Sequence, residues 1–286
     1  MFKTVLAALC VAAAVVGPAA AQVASPTLAK IKSAKAINVA YSPDSAPFSS
    51  SAGSGAPLGY SIDLCKRVVA QIARAVGEPE LKVNWLAAPV AERVQMVAGG
   101  RAELDCANTT QTQTRLASVD FSNLIFIDGG GLLVKAGSPI QRVADLAGKR
   151  VAVLKGTTTQ ARLADTLRLR NIQATVMPID DAGVGLSLLE AGSVDAYAGD
   201  KVKLTELALR SREPGRMALV LEDLSYEPYA LALPRNDSAL RLEVNRALTQ
   251  VYLSGDIEAI FEQWLGKLGR PTGLLAAMFL LNSIPE

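Results

Sequence analysis

The densest run of side chains able to do chemistry is Glu103 to Ser122, which reads Glu-Leu-Asp-Cys-Ala-Asn-Thr-Thr-Gln-Thr-Gln-Thr-Arg-Leu-Ala-Ser-Val-Asp-Phe-Ser. A short strand expected over Leu104 to Ala107 runs into threonines interleaved with amides, then into a helix carrying Arg115. Thr112 suits the N-cap of that helix, because its hydroxyl can accept from backbone N–H groups two or three residues on. A strand that stops in hydroxyls, with a guanidinium one turn later, can receive a small carboxylate. Arginine offers a planar fork to both oxygens, and threonine groups fill the remaining lone pairs. Taken alone, the run reads more simply as a capped surface helix with a solvated arginine.

Two further stretches could complete a small-molecule site. Gly156-Thr157-Thr158 follows an apolar strand and opens a helix, where backbone N–H groups favour anions and glycine allows close approach; a plain threonine N-cap is the alternative. Asp200 follows the strand Val194–Ala198, at the strand edge where open α/β sheets bind ligands. Its other reading is an N-cap for the helix beginning at Lys201. Much else is excluded. The chain has no histidine, which removes histidine triads, bases and metal ligands. Cys65 and Cys106 lack metal-ligand spacing, and neither a dinucleotide fingerprint nor a phosphate loop is present. No cofactor and no metal are therefore expected.

The elements that must position these groups alternate. Strands are expected at 36–41, 81–86, 132–134, 150–154, 173–177 and 194–198. Helices are expected at 59–76 (capped by Ser61), 90–98, around 143–146, and at 158–169, 181–190 and 200–210. A strongly helical stretch covers 237–267. Such alternation implies parallel sheets covered by helices. Half of the 286 residues are apolar, enough for two domains with real cores. Ile127-Asp128-Gly129-Gly130-Gly131 reads as a flexible crossing or a glycine-rich turn. Residues 1–21, with Lys3, an apolar run and Ala19-Ala20-Ala21, read as a secretory signal peptide cleaved after Ala21. Cleavage leaves 28 basic and 27 acidic residues, so no electrostatic case exists for nucleic acid or a membrane surface. The apolar run at 274–281 is too short to span a bilayer. Export also brings Cys65 and Cys106 into an oxidising compartment, where an even pair suggests a disulfide or, failing that, two buried thiols.

Five motifs occur in order: Gly59-Tyr-Ser-Ile-Asp-Leu-Cys65, Trp85 with Arg93, Asp105 to Ser122, Gly156 to Thr159, and Val194-Asp-Ala-Tyr-Ala-Gly-Asp200. In this order and spacing the chain closely resembles the periplasmic amino-acid-binding proteins of ABC importers, family 3 of the bacterial extracellular solute-binding proteins. The resemblance covers nearly all of the chain after residue 27. It implies an α/β, two-lobed fold of type II, each lobe a mostly parallel sheet flanked by helices, with two hinge crossings. Lobe 1 would hold 28–126 plus 229–286 and lobe 2 would hold 130–225, the return crossing lying at Tyr226–Tyr229. Trp264 would anchor the C-terminal helices to lobe 1.

By the same resemblance, Arg115 answers an amino acid's α-carboxylate together with Thr157 and Thr158. Asp200 answers the ammonium, joined by the Asn108 carbonyl and the Thr110 hydroxyl. Cys65 and Cys106 match cysteines of acidic-amino-acid binders, closing a loop of about 40 residues worth roughly 3–4 kcal/mol in the chain-entropy model. Arg93 falls where those binders have an arginine that reaches the ligand side chain; a solvated helix residue is its other reading. Ser42 stands where they carry a second arginine and Val90 where they carry a hydroxyl, so one cation is missing. Lys155 and Arg150 are the candidates to replace it. Polar amino acids are expected, glutamate and aspartate first and their amides next. The expected partners are an inner-membrane ABC permease and the amino acid, with the protein a monomer in the periplasm. A periplasmic prephenate or arogenate dehydratase, or a ligand-sensing module, shares the fold and is the alternative.

Overall fold

Alternation of period two along the central strands decides which residue faces which layer. The computed structural model describes residues 25–284 apart from 52, 54 and 55; the expected signal peptide, with Cys10, lies outside them. In chain order the elements are α1 (Pro26–Ala34), β1 (Ala36–Tyr41), β2 (Asp44–Ser45), β3 (Ser49–Ser50), α2 (Tyr60–Val76), β4 (Lys82–Ala87), α3 (Val90–Ala98), β5 (Leu104–Asp105), α4 (Gln113–Leu116) and β6 (Val119–Lys135). Then come β7 (Arg150–Leu154), α5 (Thr158–Leu169), β8 (Thr175–Ile179), α6 (Ala182–Glu190), β9 (Ala196–Asp200), α7 (Lys201–Leu209), β10 (Met217–Leu219), β11 (Ser225–Pro234), α8 (Ser238–Ser254), α9 (Asp256–Leu265) and α10 (Gly273–Leu281).

One nine-stranded sheet runs β4-β1-β5-β11-β6-β9-β7-β8, with β10 beside β6. β1 pairs in parallel with β4 and β5, and β7 in parallel with β8 and β9. β6 and β11 are antiparallel to each other and to their neighbours. The fold is α/β and two-lobed, with both lobes sharing a single sheet through these two long strands. On β11, Tyr229, Leu231 and Leu233 join a core with α2, α8, α9 and α10, while Ala230 and Ala232 face a second core under α3. On β7, Val151 and Val153 pack with α5, and Ala152 packs with α6 on the other face. Trp264 is tied to α2 by its Nε1–H, which donates to Asp63 Oδ2 at 2.7 Å. Leu275 and Met278 of α10 join the same core.

Cys65 on α2 and Cys106 just after β5 form a disulfide, with Cα atoms 6.0 Å apart. It pins the strand end that feeds the threonine cluster to helix α2.

Several expectations need correction. Ser61 does not cap α2: the N-cap is Gly59, with no side-chain bond, and Ser61 Oγ is buried without a partner. The entry of α2 is held instead by backbone bonds, Tyr60 N–H to Pro47 O and Ser61 N–H to Phe48 O. The strongly helical stretch at 237–267 is present as expected, divided into two helices at Gly255, whose φ is 82°. The segment 143–146 is one turn of 3-10 helix. Gly129 to Gly131 form no turn; they lie mid-strand in β6. Their value is the missing Cβ, not freedom. A Cβ on Gly129 would sit 2.7 Å from Asp223 Oδ1, one on Gly131 2.7 Å from Lys201 Cε, and one on Gly130 would collide with Ser225 Oγ.

Candidate functional site

The carboxyl ends of β1, β5, β7 and β9 and the N-termini of the elements that follow them converge on a cavity of about 380 Å³ between the two halves. Arg115, Asp200, Thr110, Asn108, Thr157, Thr158, Arg93 and Ser42 all line it.

Arg115 sits on the four-residue α4, whose N-cap Thr112 accepts from Arg115 N–H at 3.1 Å. Its Nη1 donates to the Thr110 carbonyl at 2.7 Å. Burial lowers its pKa from the usual arginine range, and Asp105 pulls the other way; an arginine in a protein stays charged. Arg93 is not solvated. It is 1 % exposed, donating from Nε to Asp105 Oδ1 at 2.8 Å, from Nη1 to Ala88 O at 2.9 Å and from Nη2 to Thr109 Oγ1 at 3.2 Å. Thr109 in turn donates to Asp105 Oδ2 at 2.6 Å. The disulfide fixes the residue next to Asp105, so covalent bond and ion pair brace one another.

Asp200 ends β9 and occupies the N-cap position of α7, yet makes no side-chain cap bond. Its carboxylate turns into the cleft and accepts from Asn108 Nδ2 at 2.9 Å and Thr159 Oγ1 at 3.0 Å. Thr157 caps α5, accepting from Gln160 N–H at 3.1 Å, and Thr158 is the first residue of that helix. Gly156 takes a φ of 72°, and a Cβ there would lie 3.3 Å from Ala91 Cβ on the opposite wall. Ser42 is buried, with its Oγ at 2.9 Å from Asp44 Oδ1 and 2.7 Å from Ser45 Oγ. Of the two cations considered as replacements at this end, Arg150 is outside the cavity, bonded to Asp195 at 3.2 Å. Lys155 reaches the wall but is paired with Asp180 at 2.9 Å.

Two residues of consequence were missed in the sequence. Glu227 on β11 is 1 % exposed and accepts at one oxygen from Thr110 Oγ1 at 2.6 Å and Thr158 Oγ1 at 2.7 Å; its other oxygen accepts from Ser225 Oγ. Burial, then Asp200, raises its pKa. An acidic residue inside an otherwise apolar strand was the available signal, since such a group is buried only with partners. Lys203 lines the cavity and donates to Ser45 Oγ at 3.1 Å. Its spacing from Asp200, three residues into a helix, puts it on the same face. The cleft is thus crossed by Asn108–Asp200, Lys203–Ser45 and the two threonines that meet on Glu227. Chemically, a guanidinium and a carboxylate face one polar cavity among hydroxyls, which suits a zwitterion.

A family model described as "Bacterial extracellular solute-binding proteins, family 3" matches residues 37–267. The L-glutamate/L-aspartate-binding protein of Pseudomonas aeruginosa is 30% identical over 272 residues, covering 95% of this chain and 90% of its own. The ABC transporter glutamine-binding protein GlnH of Bacillus subtilis is 28% identical over 267 residues, covering 93% and 94%. Among solved structures, a solute receptor for L-cysteine of Neisseria gonorrhoeae superposes with a TM-score of 0.75 at 25% identity, covering 87% of this chain and 98% of that one.

Proposed function

The chain belongs to the bacterial extracellular solute-binding proteins, family 3, and from that premise we propose that it captures a polar α-amino acid in the periplasm and hands it to an ABC permease. The observation that carries the reading is the placement of Arg115 and Asp200 on the walls of one cavity between the halves. Arg115 takes the α-carboxylate, with the N-terminal N–H groups of α5 beside Thr157 and Thr158. Asp200 takes the ammonium. Thr110 commits its proton to Glu227, leaving its oxygen lone pairs for an ammonium, and Asn108 holds Asp200 in place. Lobe 1 comprises 28–126 and 229–286 and lobe 2 comprises 130–225. A ligand gripped from both lobes favours the closed arrangement by its differential affinity for it. Glutamate and aspartate lead, followed by their amides, in keeping with the names of the P. aeruginosa and B. subtilis relatives. Residues 1–21 direct export and are removed, and the mature protein works as a monomer.

The test is a thermal-shift screen over the twenty amino acids followed by calorimetry, since binding to the folded state raises its melting temperature. Glutamate, aspartate, glutamine or asparagine should give the largest shift. Arg115→Ala and Asp200→Ala should each cost about 2–5 kcal/mol of binding, on the order of 30-fold or more in affinity. Near-wild-type affinity in both variants removes the zwitterion grip, and a larger shift with leucine or lysine removes the ligand class. Incubation with prephenate or arogenate should give no multiple turnover; steady turnover would replace transport with catalysis.

A further inference from the structure

The cavity wall carries four basic and three acidic side chains. Arg93 is matched by Asp105 at 2.8 Å and Lys155 by Asp180 at 2.9 Å. On the amino-acid reading, Arg115 and Asp200 are engaged by the ligand's own α-carboxylate and ammonium. Lys203 remains. It forms no ion pair among the described residues, and its hydrogen bond reaches across the cleft to Ser45 Oγ at 3.1 Å. Ser45 Oγ is 2.7 Å from Ser42 Oγ, so the ammonium is held over the pair of serines on the loop after β1. An ammonium has three donors, and one of them is spent on Ser45. A half-buried cation with donors to spare, directed into a polar cavity, is a receptor for an anionic or strongly accepting group.

We propose that Lys203, supplied by the half opposite Ser42, is the specificity-determining cation that reads the distal carboxylate of an acidic amino acid. The proposal rests on the amino-acid reading above and deepens it. The recognised class is an α-amino acid with a second carboxylate. Arg93 assists from the other wall with the N–H groups its three bonds leave over. Asp44 stands on the serine loop and opposes it, with Oδ1 accepting from Ser42 Oγ at 2.9 Å. Because Asp105 already balances the charge of Arg93, the preference for an acid over its amide is set by the pull of Lys203 against the repulsion of Asp44. The lysine also acts as a clasp: a ligand carboxylate at this point meets a cation already bonded to the facing half.

Calorimetry with glutamate and glutamine on the full-length mature protein, its Lys203→Met and its Lys203→Arg forms tests this. Methionine keeps the length of the stem and removes the charge. In Lys203→Met the ratio of glutamate to glutamine affinity should fall by about tenfold or more, as expected for loss of a charge-assisted contact, and Lys203→Arg should restore most of it. Because the two ligands share their α-groups, a general loss of folding or cleft closure lowers both affinities and leaves the ratio in place. A ratio unchanged in Lys203→Met, in a protein that still binds both ligands, overturns the role of Lys203 and leaves the amino-acid reading standing. A wild-type protein that binds neither ligand overturns both.

Discussion

Arg93 illustrates how a single side chain can stand at a ligand cavity and still belong to the scaffold. Its guanidinium lies against Asp105, which is fully buried, and both are bonded to Thr109. Removing one partner of such a pair strands a charge in a low-dielectric interior, at a cost of about 3–5 kcal/mol. Arg93→Met should therefore lower the unfolding free energy of the ligand-free protein by that order, measured by urea denaturation. A variant as stable as the wild type would remove the ion pair from the scaffold's stability. At this scale the sequence was informative about which residues meet and poor about what each one touches. All eight expected residues line the cavity. Yet the Asp200 carboxylate goes to Asn108 and Thr159, where the sequence reads more simply as a helix cap, and Glu227 reads in the sequence only as part of a crossing. Residue type and spacing encode proximity within an element; partners more than a hundred residues away, such as Glu227 and Thr110, leave no local trace.

Among the elements, the amphipathic helices were legible because a 3.6-residue period is written into the chain. Helix α3 at 90–98, helix α5 at 158–169 and strand β7 at 150–154 fall where expected. The crossings were not. Glycine at 129–131 suggests freedom locally, whereas here it answers crowding from Asp223, Ser225 and Lys201, which only the assembled fold brings near. The disulfide has consequences at this same scale, joining α2 to the end of β5 over a separation of 41 residues. Replacing Cys65 and Cys106 together by alanine should cost about 2–5 kcal/mol, read from denaturant midpoints of the oxidised wild type and the variant. Since Asp105 adjoins Cys106, the loss should be accompanied by weaker ligand binding in calorimetry. Equal stability and equal affinity would show the bond to be dispensable.

For the molecule as a whole, acidity is concentrated where the halves join. Asp128 on β6 is paired in register with Glu227 on β11. It accepts from Gly129 N–H, Val202 N–H and Tyr229 OH. Burial first, then Asp200, pushes the Asp128 carboxyl up to about 7. A carboxyl whose pKa is higher in the folded than in the unfolded chain keeps extra protons on the folded side. Stability therefore falls as the pH rises from about 4 to about 7 and levels off above. Glu227, also raised, acts in the same direction. The full effect of Asp128 amounts to at most about 4 kcal/mol. The melting temperature of the ligand-free protein should thus decline from pH 5 to pH 8, and the decline should be shallower in Asp128→Asn. A flat or rising profile in the wild type would contradict this.

The two crossings between the halves are neighbouring, hydrogen-bonded strands of one ladder, β6 and β11, with register shifts between Tyr229 and Ala230 and between Ala230 and Ala232. The halves are therefore like the arms of tweezers cut from a single metal strip, where the bend is the strip itself and no pin or slack joint exists. Such a joint has a fixed gauge. One residue inserted between Asp128 and Leu132 would exchange the faces of Leu132 and Leu133, carrying each into the wrong core. Loops elsewhere on the chain can lengthen with little penalty, but the length of these crossings is as constrained as the spacing of teeth on a gear.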